Sequence, residues 1–322
     1  MNFNTLLKNL ARYFLTTLSI FYTNDLKKYK NKSEKTRKQV QKFILRNKLI
    51  SNVTNTHLVF NNKIFKVLSS SSKLLSFLSF PFIQQMFFVH NRFFIFKELN
   101  ELKKSSLFKI LYKKLLIEDD LGNPIRYFLY PKSSGNRINH VYHLSLLTKY
   151  LNVDLLKISH VFEFGGGYGC MARIFFKINK NINYVIYDTF YVNLLQYYYL
   201  KTLGQKPFLG FKKKQKLLLI NKISQLNKIN KKKSINSLFV ANWSLSETPI
   251  KFRSNFKRNI LNSKYIIISF QELFEDIENL KYFLDLKKEL NNKYYVKIIK
   301  NKFYKGSFLK KENHYYFLAK KK

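Results

Sequence analysis

Apolar and polar positions along residues 160–204 follow two rhythms in alternation. Val161, Phe162 and Phe164 lie in a short apolar run suited to a buried strand. Met171, Ile174, Phe175 and Ile178 then recur at i, i+3, i+4 and i+7, which is one stripe of a helix. Tyr184-Val185-Ile186-Tyr187 is a second strand-like run. Val192, Leu195, Tyr199 and Leu203 make a second helical stripe, with Gly204 where a helix would stop. The order β-α-β-α is the first half of a doubly wound sheet.

The same patterning continues downstream. Strands are predicted at 217–220, 237–242 and 264–270, and a helix over 274–290. Runs at 294–299 and 314–319 make a terminal antiparallel pair, with His314 opening the last strand in a structural role. Upstream, Val141, Leu144, Leu147 and Tyr150 mark a helix leading into the first strand. Residues 73–118 are rich in Phe and Leu and read as helical, interrupted at Pro81. Residues 51–70 read as irregular, with β-like pieces such as Leu58-Val59-Phe60. The clusters 119–124 and 131–135 read as turns. The expected architecture is α/β: a seven-stranded, mostly parallel, Rossmann-like sheet with helices on both faces. A mainly helical N-terminal region, 1–130, precedes a domain spanning 131–322.

Glycine usage sharpens this picture. The chain has nine glycines in 322 residues, and four of them, Gly165, Gly166, Gly167 and Gly169, fall within five positions between the first strand and its helix. A tight glycine corner leading into a helix N-terminus is a nucleotide-binding turn. Asp188 ends the second strand, where an acid accepts both ribose hydroxyls of an adenosine cofactor. The spacing is Glu163-x-Gly165-x-Gly167-x-Gly169, without the third glycine of a dinucleotide fold and without a Lys-Ser/Thr for a triphosphate. An acid two residues before the first glycine suits a ligand with a cationic amino acid end and no phosphate. S-adenosylmethionine is such a ligand. The donor-binding set expected is Glu163, Gly165, Gly166, Gly167, Gly169, Asp188 and Asn242.

Composition adds constraints. Apolar residues make up 46%, enough for a packed core. The single Cys170 excludes an internal disulfide and a cysteine zinc site, and a reducing, cytoplasmic compartment is expected. The formal net charge is +41. Lysine drift on a solvated surface accounts for such a charge, as do a nucleic acid partner and an anionic membrane surface at which the chain sits peripherally. Heavy use of Asn, Lys, Ile, Phe and Tyr fits an AT-rich coding sequence. Residues 1–50 carry 12 Lys/Arg against Asp25 and Glu34 and read as a basic helical arm. The apolar run Leu10–Tyr22 is shorter than the roughly 18 residues a bilayer span needs.

In an open α/β sheet the ligand lies outside the carboxyl ends of the strands. Asn242-Trp243-Ser244-Leu245-Ser246-Glu247 follows the fourth strand, and Gln271-Glu272 follows the fifth. An acceptor hydroxyl is a weak nucleophile at neutral pH, so a general base is expected. Glu247 is the first candidate, with a helix-capping role before Pro249 as its alternative; His143 is the second. His140, Trp243, Gln271 and Glu272 are expected acceptor contacts, although Trp243 equally suits plain packing. His140 and His143 lie at i, i+3, but no carboxylate joins them at helical spacing, and no metal is expected.

Several of these segments resemble the sugar O-methyltransferase family. They are Phe162–Ala172, Tyr184–Asp188, Leu194-Leu195-Gln196 with Tyr199-Leu200, and Ala241–Glu247; upstream, Gly122-Asn123-Pro124, Ser133-Ser134 and His140–Leu144 are similar too. The likeness spans roughly 115–322, and Asn242–Glu247 is its narrowest part. The resemblance implies a class I methyltransferase fold, S-adenosylmethionine as donor, and a carbohydrate hydroxyl as acceptor in surface polysaccharide biosynthesis. The acceptor would be free, nucleotide-linked or lipid-linked. The N-terminal region would then be an acceptor-side lid with a cationic face. Two alternatives remain. Nucleic acid amino-methylation is disfavoured because Trp243-Ser244, not Pro-Pro-aromatic, follows Asn242. Cytosine-carbon chemistry is disfavoured because Cys170 lies in the cofactor helix. That leaves RNA O-methylation, or a methyltransferase-like binding module without catalysis.

Overall fold

β-Branched and aromatic runs form the strands where the alternation places them. The computed structural model describes residues 22, 24–46, 55–87, 92–229, 236–304 and 313–322. Most of the Leu10–Tyr22 run and the basic link Lys231–Lys233 lie outside them. Two compact units divide the chain. One comprises 1–141, 167–173 and 189–209; the other comprises 142–166, 174–188 and 210–322.

The second unit holds the sheet. Its strands are β1 (His160–Phe164), β2 (Asn183–Tyr187), β3 (Leu217–Ile220), β4 (Ser237–Asn242), β5 (Tyr265–Gln271), β6 (Tyr294–Lys300) and β7 (His314–Lys321). The sheet has eight strands, one more than the seven expected: the order is β6-β7-β5-β4-β1-β2-β3, followed by the three-residue strand Pro207–Leu209, too short for the apolar pattern to mark. All pairs among β5, β4, β1, β2 and β3 are parallel, and β7 is antiparallel to both β5 and β6. This is a mostly parallel α/β sheet. The last strand inserts between the fifth and sixth, so β7 begins at the edge where β5 ends: His314 pairs with Gln271. β5 is buried along its whole length, as a central strand covered on both faces should be.

The first unit is built around α7 (Phe190–Thr202), in which ten of 13 residues are buried. A single apolar stripe predicts a half-exposed helix. Here α1 (Lys30–Arg46) and α2 (Asn55–Ser69) both pack on α7, so Tyr197, Tyr198 and Tyr199 are buried as well as its leucines. The segment Leu58-Val59-Phe60, expected to be irregular or β-like, is helical instead. Ile64, Val67 and Leu68 further along α2 form a buried i, i+3, i+4 stripe, and burying that stripe outweighs local β propensity. The unit also contains α3 (Pro81–Phe87), which Pro81 opens rather than interrupts, and α4 (Phe93–Lys104).

Two further departures are local. The turn cluster at 131–135 is largely the strand Tyr130–Ser134, paired with Arg126–Tyr127. The helix expected from 274 starts five residues later, as α8 (Asn279–Leu290). Before it, Leu273–Phe274 and Ile277–Glu278 form a tight hairpin, with Glu275 at φ 49° in the turn. α5 (Gly135–Leu151) and α6 (Cys170–Ile178) lie where the stripes place them. Among the described residues no helix is long and apolar enough to cross a membrane.

Candidate active site

The turn after β1 is where the chain is most constrained. β1 ends at Phe164 and α6 starts at Cys170, which leaves Gly165–Gly169 to reverse direction. Gly165, Gly167 and Gly169 have φ of 68°, 53° and 100°, in the region that side-chain-bearing residues avoid. Gly165 N donates to Tyr187 O at 2.8 Å, tying the turn to the tip of β2. A Cβ at Gly165 would sit 2.2 Å from Ser244 Cβ, so only glycine fits between β1 and the loop after β4. Gly166 is buried in the same corner.

The far half of the turn belongs to the first unit. Gln196 of α7 donates to Gly167 O at 2.9 Å, and Asn136 donates to the Tyr168 hydroxyl at 3.2 Å. Arg173 in α6 makes a two-point ion pair with Asp119 at 2.9 and 2.7 Å. A Cβ at Gly167 would meet the Phe87 ring at 3.3 Å, so α3 of the N-terminal region lies against the turn. Asp119 is held in turn by Arg137, whose guanidinium is fully buried and also pairs with Glu118 at 2.6 Å. None of these partners carried a sequence signal. Asp119 belonged to a segment read as a turn, and Arg137 to a helix read by its apolar positions.

Glu163 lies inside β1 and is 2% exposed. Its Oε2 accepts a hydrogen bond from the Tyr184 hydroxyl at 2.7 Å. Burial pushes its carboxyl up to about 8; the Tyr184 bond opposes the shift and the Asp188 charge adds to it. Asp188 follows β2, with its backbone N–H on Ile220 O at 3.0 Å. Two acids thus stand near the carboxyl ends of adjacent strands, and the charge of Asp188 disfavours that of Glu163. A cation between them would relieve both.

The carboxyl ends of β4 and β5 carry a polar cluster. Asn242 Oδ1 accepts from His143 Nδ1 and from the Ser269 hydroxyl, both at 3.0 Å. Bonding to a carbonyl oxygen puts the His143 proton on Nδ1 and leaves Nε2 as its basic nitrogen. His143 is fully buried, its ring against Trp243 and Tyr316. Trp243 has φ 59°, an outlier for an aromatic residue, and its strained backbone turns the indole back over the sheet edge. Its Nε1 donates to His314 Nδ1 at 3.1 Å, and the His314 ring lies tilted against Tyr304 with centroids 3.7 Å apart. His314, expected to be structural only, therefore faces the same cluster, because β7 is antiparallel and starts where its neighbours end.

Glu247 is exposed overall, yet burial of its carboxyl end raises its pKa, while the hydrogen bond with Gln271 opposes the shift. Gln271 is buried and also accepts from Ser246 at 2.8 Å. The loop carrying Glu247 is braced by a residue that sequence reading missed. Arg253 is fully buried and donates to Thr248 O at 2.9 Å, Ser246 O at 3.0 Å and Asn279 Oδ1 at 2.8 Å. It therefore grips the carbonyls on either side of Glu247, with Tyr282 packed against its guanidinium at 4.6 Å. Glu272 accepts from Asn313 at 2.7 Å. His140 does not join the cluster: its Nδ1 lies 2.8 Å from Asn136 O on its own helix, and burial lowers its pKa to about 4, so it is neutral at pH 7. Among the described residues no group of three His, Cys, Asp or Glu could hold a metal.

No protein-family model and no curated protein matches the sequence. Solved structures with a similar chain path include three methyltransferases. One is a precorrin-6y C5,15-methyltransferase from Geobacter metallireducens, with 10% identity over 56% of this chain and 87% of that one, at a TM-score of 0.37. A SAM-dependent methyltransferase from Aquifex aeolicus shares 14% identity over 55% and 88%, at 0.37. The O-methyltransferase segment of StiE shares 12% over 55% and 72%, at 0.39. Similarity at this level concerns the path of the chain; what the site does has to be argued from its own residues.

Proposed function

We propose that this chain is an S-adenosylmethionine-dependent O-methyltransferase whose acceptor is a carbohydrate hydroxyl, in the synthesis of a surface glycan. The observation that supports the donor is the glycine turn after β1, with three left-handed glycines, next to two acids, the buried Glu163 and Asp188. A ligand with a sulfonium and an ammonium and no phosphate fits those acids, and a close backbone approach fits the glycines. When bound, the donor supplies a methyl group already activated for displacement.

The chain's own contribution is then alignment, exclusion of water and removal of one proton. Glu247 is the base in this reading. Arg253 and Gln271 hold its loop and its carboxyl, and burial raises its pKa, which makes it a stronger base than an exposed carboxylate. His143, with Nε2 as its basic nitrogen, is the second candidate. The carbohydrate acceptor rests on the family resemblance of Asn242–Glu247, and Trp243 at the strand edge suits a sugar face.

Titration calorimetry with S-adenosylmethionine tests the donor. Asp188→Ala should weaken binding about 10–100-fold, the loss of a charged acceptor. Gly167→Val should abolish it, because the backbone there would leave the left-handed region. Unchanged affinity in both variants overturns the donor assignment. Mass spectrometry of surface glycan from cells with and without the protein tests the acceptor; the expected result is the loss of one methyl increment.

A further inference from the structure

The charge of this chain is not spread evenly, and one cation-rich stretch is a docked helix. α1 has seven Lys/Arg and one acid in 17 residues. Its buried positions, Ser33, Thr36, Val40 and Ile44, form one inward stripe. Lys35, Lys38, Lys42 and Arg46 fall on the opposite side, spaced by three, four and four residues, and all four are exposed. Glu34, the helix's one acid, is bonded to Arg37 at 2.6 and 2.9 Å, and of the four only Lys38 is among the groups that lower its pKa. The row is about 16 Å long at 1.5 Å per residue, with one cation per turn. Like charges one turn apart destabilise a helix. The row persists because α1 is fastened from behind. Ser33 bonds the Tyr198 hydroxyl at 2.6 Å, Gln39 accepts from Tyr197 at 3.2 Å, and Phe43 meets the Tyr197 ring edge-on at 5.3 Å.

We infer that the outer face of α1 is a binding site for the phosphodiester backbone of a single-stranded nucleic acid. A rigid single file of cations matches a linear polyanion, and its length covers about four nucleotides, within the usual range for single-strand sites. A bilayer is the poorer match. A membrane-binding helix inserts an apolar face, but Val40 and Ile44 are spent against α7, and Leu45 is the only large apolar side chain left exposed on α1. The inference stands apart from the proposed methyl transfer, because binding alone tests it.

The test is fluorescence anisotropy with a labelled 20-nucleotide oligouridylate and the full chain. Four phosphate contacts give a slope of about −3 for log affinity against log salt, at about 0.7 per contact on a single strand. Affinity should therefore fall roughly 50-fold between 50 and 200 mM salt. Lys35→Glu, Lys38→Glu, Lys42→Glu and Arg46→Glu together should cut affinity at least tenfold and flatten the slope. A control with the same charge change at exposed Lys180, Lys213, Lys281 and Lys293 should lose less than about twofold, with circular dichroism confirming that both variants fold. Equal losses in the two variants overturn the inference, since net charge alone would then explain binding. It is also overturned if the four α1 changes abolish binding to phosphatidylglycerol vesicles but leave oligonucleotide binding intact. Oligothymidylate in place of oligouridylate separates an RNA-selective site from one for any phosphodiester strand.

Discussion

Glu163 shows how one buried carboxyl ties both stability and the binding of a cation to pH, the cation displacing its proton. Its carboxyl moves from an ordinary value of 4.5 to about 8 in the folded chain. The native state therefore holds a proton that the unfolded chain has released between about pH 4.5 and 8. Stability from this group is full below 4.5 and is lost as pH rises through 8. The loss is on the order of 4 kcal/mol, and buried Glu98, also raised to about 8, adds to it. Urea unfolding at pH 5 and pH 8.5 should show the drop, and Glu163→Gln should make it smaller. A cationic donor binds the ionised form, so affinity for S-adenosylmethionine should rise with pH towards 8 in the wild type and level off in Glu163→Gln. Gly165→Ala is the steric counterpart. With φ at 68° and Ser244 Cβ 2.2 Å from the new methyl, it should cost about 1–3 kcal/mol in thermal unfolding and impair donor binding.

Among the elements, the loop after β4 depends on a short helical turn that no motif marked. Arg253, at the end of Ile250–Arg253, grips Ser246 O and Thr248 O without a carboxylate partner among the described residues. Burying a guanidinium this way costs desolvation energy, which its three hydrogen bonds and the Tyr282 ring offset. Arg253→Met should cost roughly 2 kcal/mol or more, because two backbone carbonyls and Asn279 lose their donor. It should also release Glu247. The raised pKa of Glu247, followed by carboxyl NMR titration, should fall towards its ordinary value, while Arg253→Lys retains part of the shift. A Glu247 titration identical in Arg253→Met and wild type would show that the loop holds itself. Glu247→Gln should lower turnover by about 10²–10⁴ and leave donor affinity unchanged.

For the molecule as a whole, the first unit carries more of the site's support than a basic arm would. Ten of the 13 residues of α7 are buried, with α1 and α2 packed on it, and that unit also holds Gly167 through Gln196 and Arg173 through Asp119. Removing residues 1–46 strips α1 from α7 and exposes Tyr197 and Tyr198. The expected result is a chain that binds a hydrophobic dye and aggregates, instead of a trimmed enzyme of normal stability. Asp119→Asn leaves the fold's outline but breaks the two-point pair to α6. Hydrogen exchange should quicken in the first turn of that helix, with no change in β5.

The sequence by itself determined the sheet and the turn. Strand and helix periodicity is local, and a left-handed corner admits few residues besides glycine, so β1 to β7, α5 to α7 and Gly165–Gly169 were all legible. Glu163, Asp188, Asn242 and Glu247 were legible as residues at strand ends, because a parallel sheet sends every carboxyl end to one edge. Only the tertiary structure decided which groups meet there. His314 reaches Trp243 because β7 inserts antiparallel next to β5, a choice of strand order that periodicity does not encode. His140 and His143 looked equivalent at i, i+3, but one bonds back to its own helix and the other bonds Asn242. Arg137, Arg253 and Asp119 were lost among many charges in a lysine-rich chain. Burial is what distinguishes them, and burial depends on contacts between residues far apart along the chain.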